Sequence, residues 1–139
     1  MQDLYKELII DHGLNPRNKK IIKNYNFHIP AVNHLCGDMF FLYLKIENKI
    51  INEISFEGNG CSISTASASI MTLLIKKKKA EEAIKIFNSL MDLIKNENNQ
   101  NEIEKELKIL SNIKNYPSRV KCCTLIWHAL NDILKESDK

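Results

Sequence analysis

The stretch Met39–Ile75, MFFLYLKIENKIINEISFEGNGCSISTASASIMTLLI, changes periodicity once, and the change decides the fold. In its first half Phe40, Leu42, Leu44 and Ile46 fall on one face of an extended segment. Beyond a turn at Glu47–Lys49, Ile50, Ile54 and Phe56 share a face of a second segment. Side chains alternate across a strand, so this pattern predicts a half-buried antiparallel hairpin. The alternation stops at Gly58. Two glycines loosen the backbone, a serine-rich segment supplies helix N-caps, and small residues lead into an apolar helix.

Upstream, Tyr25–Ile29 reads as a short β-like run ended by Pro30, preceded by the turn LNPRN at 14–18. Residues 2–12 place Leu4, Tyr5, Leu8 and Ile9 on one helical face, with Gly13 as the C-terminal stop. Downstream, one helix is expected over about 80–95, with Ile84, Phe87, Leu90, Met91 and Ile94 inward. A second is expected over about 102–113, with Ile103, Leu107 and Leu110. The polar run KNENNQNE (95–102) between them reads as a surface loop, and a last helix should run from after Pro117 to about Lys135. No repeat or second unit stands out, so residues 1–139 are read as one domain. Strands followed by helices predict an α+β fold: a small antiparallel sheet of about three strands with helices packed mainly on one face.

Composition narrows the function. The formal charge is +3, and IKKKKAEEA (75–83) contains a lysine run. Arginine occurs only as Arg17 and Arg119, and no aromatic residues interleave with the basic ones. The lysines therefore read as a solvated helix end, and nucleic acid is not expected as a partner. The N-terminal MQDLYKELIIDHG lacks the basic and apolar regions of a secretory signal, and the longest apolar run, IMTLLI, is far short of a membrane span. A cytoplasmic protein without membrane attachment is expected.

Four cysteines in such a setting point to metal binding or thiol chemistry rather than disulfides. In NHLCGD (33–38), Cys36 and Asp38 flank Gly37; an extended backbone would turn both to one side. The competing reading is a buried cysteine followed by a Gly-Asp turn. Cys61 opens a predicted helix, where free N–H groups favour a thiolate; the competing reading is a buried spacer at the cap. In VKCCTLIW, Val120, Cys123, Trp127, Leu130 and Leu134 recur at helical spacing as a core stripe. Successive helical residues differ by about 100°, so Cys122 is rotated off that stripe. Arg119 lies three positions before it, within reach of a thiolate. Spacing thus nominates Cys122 for chemistry and Cys123 for packing. Three thiolates and a carboxylate suit zinc, and a mixed set suits an iron–sulfur cluster. His34 is the histidine nearest this group; His12, His28 and His128 have no ligand-like neighbours in sequence.

NPRN (15–18), CGD (36–38), FEGNGCSISTASASIM (56–71) and PSRVKCCTLIWHAL (117–130) resemble, in order, the iron–sulfur cluster assembly proteins of the IscU/NifU N-terminal family. The resemblance is stronger to the SufU-type branch. Lys121 stands where the scaffold branch has histidine, NYPSRVK (115–121) replaces its LPPVK segment, and a helical segment at about 88–113 matches the SufU-type insertion. The resemblance implies a metal site of Cys36, Asp38, Cys61 and Cys122, with Arg119 and nearby lysines balancing thiolate charge. It further implies zinc as the metal and a pyridoxal-phosphate cysteine desulfurase as partner. In that scheme the desulfurase lends the zinc a ligand, and the freed Cys36 accepts sulfur as a sulfurtransferase-like acceptor. Downstream partners would be cluster-assembly or apo-proteins. Two alternatives remain. One is a scaffold carrying a [2Fe–2S] cluster on Cys36, Cys61 and Cys122, with Cys122 receiving sulfur; the other is a structural zinc protein that docks partners. His34 replaces a proline common in the family, which either loosens the turn or supplies a substitute ligand.

Overall fold

The computed structural model describes residues 2–95 and 104–138. In chain order its elements are α1 (Gln2–Leu14), β1 (Phe27–Asn33), β2 (Asp38–Glu47), β3 (Ile50–Asn59), α2 (Ser62–Ile75), α3 (Ala80–Ile94), α4 (Lys105–Leu110) and α5 (Val120–Ser137). Two 3-10 turns, Ser111–Asn115 and Pro117–Arg119, link α4 to α5. The strands form one antiparallel sheet in the order β1-β2-β3, the α+β arrangement expected from the change of period.

The hairpin largely follows its alternation, although Tyr43 and Ser55, paired on the opposite face, are buried too. Phe40, Leu42 and Leu44 of β2 and Ile54 and Phe56 of β3 are buried in the main core. At the start of β3, however, Ile51 is buried where Ile50 was expected. The register passes from Lys45↔Glu53 to Ile46↔Ile51, leaving Asn52 as an extra residue. Such a bulge reverses which side chains face inward. β1 also runs on through Pro30, which pairs opposite Phe41, to Asn33. The strand lies at the sheet edge, where the missing N–H of proline breaks no ladder.

The central element is α2. Ser64, Ala66–Thr72, Leu74 and Ile75 are all buried, between α1 on one side, α5 on another and β3 below. Small side chains let three elements close in, and their hydroxyls are matched individually. Ser67 Oγ donates to the Cys123 carbonyl (2.6 Å) and accepts from Trp127 Nε1 (3.0 Å). Thr72 Oγ1 donates to the Ser69 carbonyl (2.7 Å) and accepts from Asn18 Nδ2 (2.9 Å). On α5 the expected stripe of Cys123, Trp127, Leu130 and Leu134 is buried, with Val120 half-buried at its start.

Three expectations shift. The inward stripe of α1 is Tyr5, Ile9 and His12, whereas Leu4 is exposed. His12 is held by Ser69, its Nδ1 lying 2.7 Å from the Ser69 Oγ. The helix also runs past Gly13, where an added Cβ would come within 3.3 Å of the Ser62 carbonyl. That glycine serves close approach of α1 to α2 rather than a stop. Finally, the helix expected over 102–113 is the shorter α4 plus a 3-10 turn. Ser111 Oγ bonds the Lys108 carbonyl (2.6 Å) and Asn112 Nδ2 the Ile109 carbonyl (2.9 Å), so side chains compete with helical bonds. Ile103 and most of the expected polar loop, residues 96–102, lie outside the described residues. The lysine run is largely exposed between α2 and α3, and its backbone bonds Ile51 of β3. Among the described residues no helix is long and apolar enough to cross a membrane.

Candidate metal centre

Three distant segments meet at one end of the sheet. The turn between β1 and β2 carries Cys36, Asp38 opens β2, Cys61 caps α2, and Cys122 lies in the first turn of α5. Cys36 and Asp38 converge because residues 34–37 form a turn, with Gly37 at φ +70°, rather than through extended alternation. A left-handed backbone of this kind favours glycine.

The donor atoms of Cys36, Asp38 and Cys122 all lie within 4.8 Å of one another, a separation that can hold a metal ion. The Cys36 and Cys122 sulfurs are 3.0 Å apart, and all four cysteines are free thiols. Cys36 is half-buried, while Cys122 is buried, although it stands outside the main core. The rotation that takes it off the α5 stripe therefore turns it toward the β1–β2 turn instead of toward solvent.

Cys61 sits beside this group without its sulfur joining it. Its backbone N–H donates to Asp38 Oδ1 at 2.9 Å. Its sulfur lies 3.2 Å from Ser64 Oγ and accepts from the Ser64 N–H at 3.5 Å. Ser64 Oγ in turn donates to Asp38 Oδ2 at 2.6 Å. Asp38 is fully buried, and both its oxygens are held by the start of α2. Gly60 makes this contact possible, since a Cβ there would stand 2.7 Å from Asp38 Oδ1 and 2.6 Å from the Phe40 ring. Ser64 was not singled out from the sequence. Its signal was its place three residues after a capping position, where side chains regularly reach back to satisfy the helix start.

The electrostatics separate the two adjacent cysteines. Burial pushes the Cys122 thiol up to about 12, with the contact to Cys36 and the nearness of Cys61 adding to it, while the Arg119 guanidinium opposes the rise. Arg119 itself is held more firmly protonated, first by the nearness of Cys122. Cys123 is pushed up to about 12 by burial in the core, against the opposing contact with Ser67. Of these two, Cys122 is the one with a cation and a second thiol beside it. His34 is exposed and outside the donor group, as are His28 and His128; Lys121 is exposed as well. Two thiols and a carboxylate with a third thiol alongside form a borderline-soft set that fits zinc or an iron–sulfur cluster better than the oxygen-seeking cations.

Comparison with known proteins identifies the family. The family described as NifU-like N terminal domain matches residues 4–123. The chain is 37% identical over 131 residues to the zinc-dependent sulfurtransferase SufU of Bacillus subtilis, covering 94% of this chain and 88% of that protein. It is 35% identical over 133 residues to the iron–sulfur cluster assembly scaffold protein IscU of Thermotoga maritima, covering 96% and 94% respectively. Among solved structures, one proposed to be the assembly scaffold of the SUF system in Fervidobacterium islandicum superposes with a TM-score of 0.83 at 30% identity, covering 96% of this chain and 98% of that one. The matched span takes in Cys36, Asp38, Cys61 and Cys122 together, and the chain belongs to the NifU-like N-terminal domain family.

Proposed function

We propose that this protein serves iron–sulfur cluster assembly as a zinc-binding sulfur acceptor for a cysteine desulfurase, acting in the cytoplasm as one domain of residues 1–139. The observation that carries the reading is the grouping of Cys36, Asp38 and Cys122 from distant segments, with Cys61 tied to the same carboxylate. The similarity to a zinc-dependent sulfurtransferase supports zinc as the resident metal. Zinc, when bound, keeps thiols ionised at neutral pH. Cys36, Asp38, Cys61 and Cys122 would hold it.

Cys36 is the acceptor. It is half-buried on a turn, whereas Cys122 and Cys123 are buried in α5. Its neighbours Leu35 (86% exposed) and Met39 (54% exposed) form an apolar rim of the kind a protein partner covers. In the transfer, the Cys36 thiolate attacks the terminal sulfur of the persulfide on the desulfurase. A new sulfur–sulfur bond forms at Cys36, the enzyme's own breaks, and the enzyme cysteine leaves as a thiolate. Arg119, beside Cys122, offsets the negative charge gathered at the centre. Cluster-assembly and apo-proteins then receive the sulfur.

A second reading is favoured by the 35% identity to a scaffold protein: the same residues would carry a [2Fe–2S] cluster as cargo. Native mass spectrometry of the protein with a cysteine desulfurase and cysteine separates the two. Bound zinc with a persulfide on Cys36 is expected. A cluster that forms without zinc, with no stimulation of the desulfurase, would favour the scaffold.

A further inference from the structure

Ser64 is the third residue of α2, counted from the Cys61 cap, and is 2% exposed. Capping of the helix needs only its backbone N–H, which points at the Cys61 sulfur. The hydroxyl is therefore free for something else. It lies 2.6 Å from Asp38 Oδ2 and 3.2 Å from Cys61 Sγ. A hydroxyl has one hydrogen, and the short contact to the carboxylate takes it. The Cys61 thiol then donates to the same oxygen. Because the Cys61 N–H holds Asp38 Oδ1, the three residues close into a ring: Cys61 N–H to Asp38, Ser64 hydroxyl to Asp38, and Cys61 sulfur to Ser64.

Each Asp38 oxygen accepts one such bond and keeps a second lone pair. With both oxygens anchored, the plane of the carboxylate is fixed toward Cys36 and Cys122, whose donor atoms lie within 4.8 Å of it. We infer that Ser64 is a positioning residue of the metal centre: its hydroxyl fixes the Asp38 carboxylate, so that metal capture depends on a side chain that is not itself a donor. The inference rests on the metal-binding reading above. It assigns a task to the hydroxyl that helix capping does not require.

The test compares the full chain with Ser64→Ala and Ser64→Thr, by zinc competition against a chromophoric chelator at fixed pH and by the cobalt(II) absorption spectrum. Loss of the Ser64 hydroxyl is expected to weaken zinc binding by about 10- to 100-fold, the range for an outer partner of a metal ligand, and to shift the cobalt bands. Ser64→Thr should restore both. Ser64→Val, isosteric with threonine but lacking the hydroxyl, repeats the comparison if the alanine variant does not fold. Zinc affinity within about threefold of wild type and an unchanged cobalt spectrum in both hydroxyl-free variants would overturn the inference. Equal losses in the threonine and valine variants would overturn it too, by showing that shape and not the hydroxyl matters. Failure of the wild-type chain to bind zinc or cobalt would instead overturn the metal-centre reading itself, and this inference with it.

Discussion

Cys122 and Cys123 differ by one helical step, and that step sends their side chains to different surroundings. The Cys123 backbone carbonyl accepts from Ser67, and its thiol is sealed beneath α2. The Cys122 sulfur faces the Cys36 sulfur at 3.0 Å under the influence of Arg119. This division was legible from the sequence, because an unbroken stripe from Val120 to Leu134 leaves Cys122 off its line. The role of His12 was not legible, because its partner Ser69 lies 57 residues away. Burial, then the nearby Arg17 charge, lowers the tendency of His12 to take up a proton, with Asp11 and Glu106 opposing. Below its ordinary value of 6.5 the unfolded chain binds a proton that the folded chain resists. Stability from this site is therefore full above that value and falls as the pH is lowered through it. Thermal unfolding from about pH 7.5 to about pH 5 should show His12→Asn less stable than wild type at the upper end, with the gap narrowing as the pH falls. A constant gap would show that His12 does not titrate between the two states.

At the scale of elements, α2 explains why the serine- and alanine-rich block is built as it is. A helix packed on α1, α5 and β3 at once has little room for large side chains at its buried serine and alanine positions, while Ile70, Met71, Leu74 and Ile75 fill the core. Ala68 is fully buried within it. Ala68→Leu should lower stability by about 1–3 kcal/mol, as overpacking of a filled core does, measured by urea unfolding. A loss below about 0.5 kcal/mol would mean that the contacts around α2 are looser than described. The hairpin and the order of helices were legible because they depend on local period. The bulge at Asn52 and the passage of β1 through Pro30 were not, because both depend on where a strand sits in the sheet. The helix expected over 102–113 was misjudged for a different reason: Ser111 and Asn112 turn their side chains onto the backbone.

Across the whole molecule, the topology gathers donors that sequence spacing keeps apart. One end of the sheet receives the β1–β2 turn, the start of α2 and the start of α5, and with them Cys36, Asp38, Cys61 and Cys122. The sequence named these four, but not that Asp38 would be locked to α2 through Ser64, nor that the Cys61 sulfur would rest on its own helix turn. Those are properties of packing, fixed by the close fit of Gly60 against Phe40 and Asp38. The central claim, that this end of the molecule is a metal centre in which Cys122 and not Cys123 takes part, is tested most directly by the zinc content of purified Cys122→Ser and Cys123→Ser beside wild type. The account predicts about one zinc per chain in wild type and in Cys123→Ser, with less than about a tenth of that in Cys122→Ser. Zinc retained in Cys122→Ser, or lost in Cys123→Ser while that variant stays folded, would contradict it.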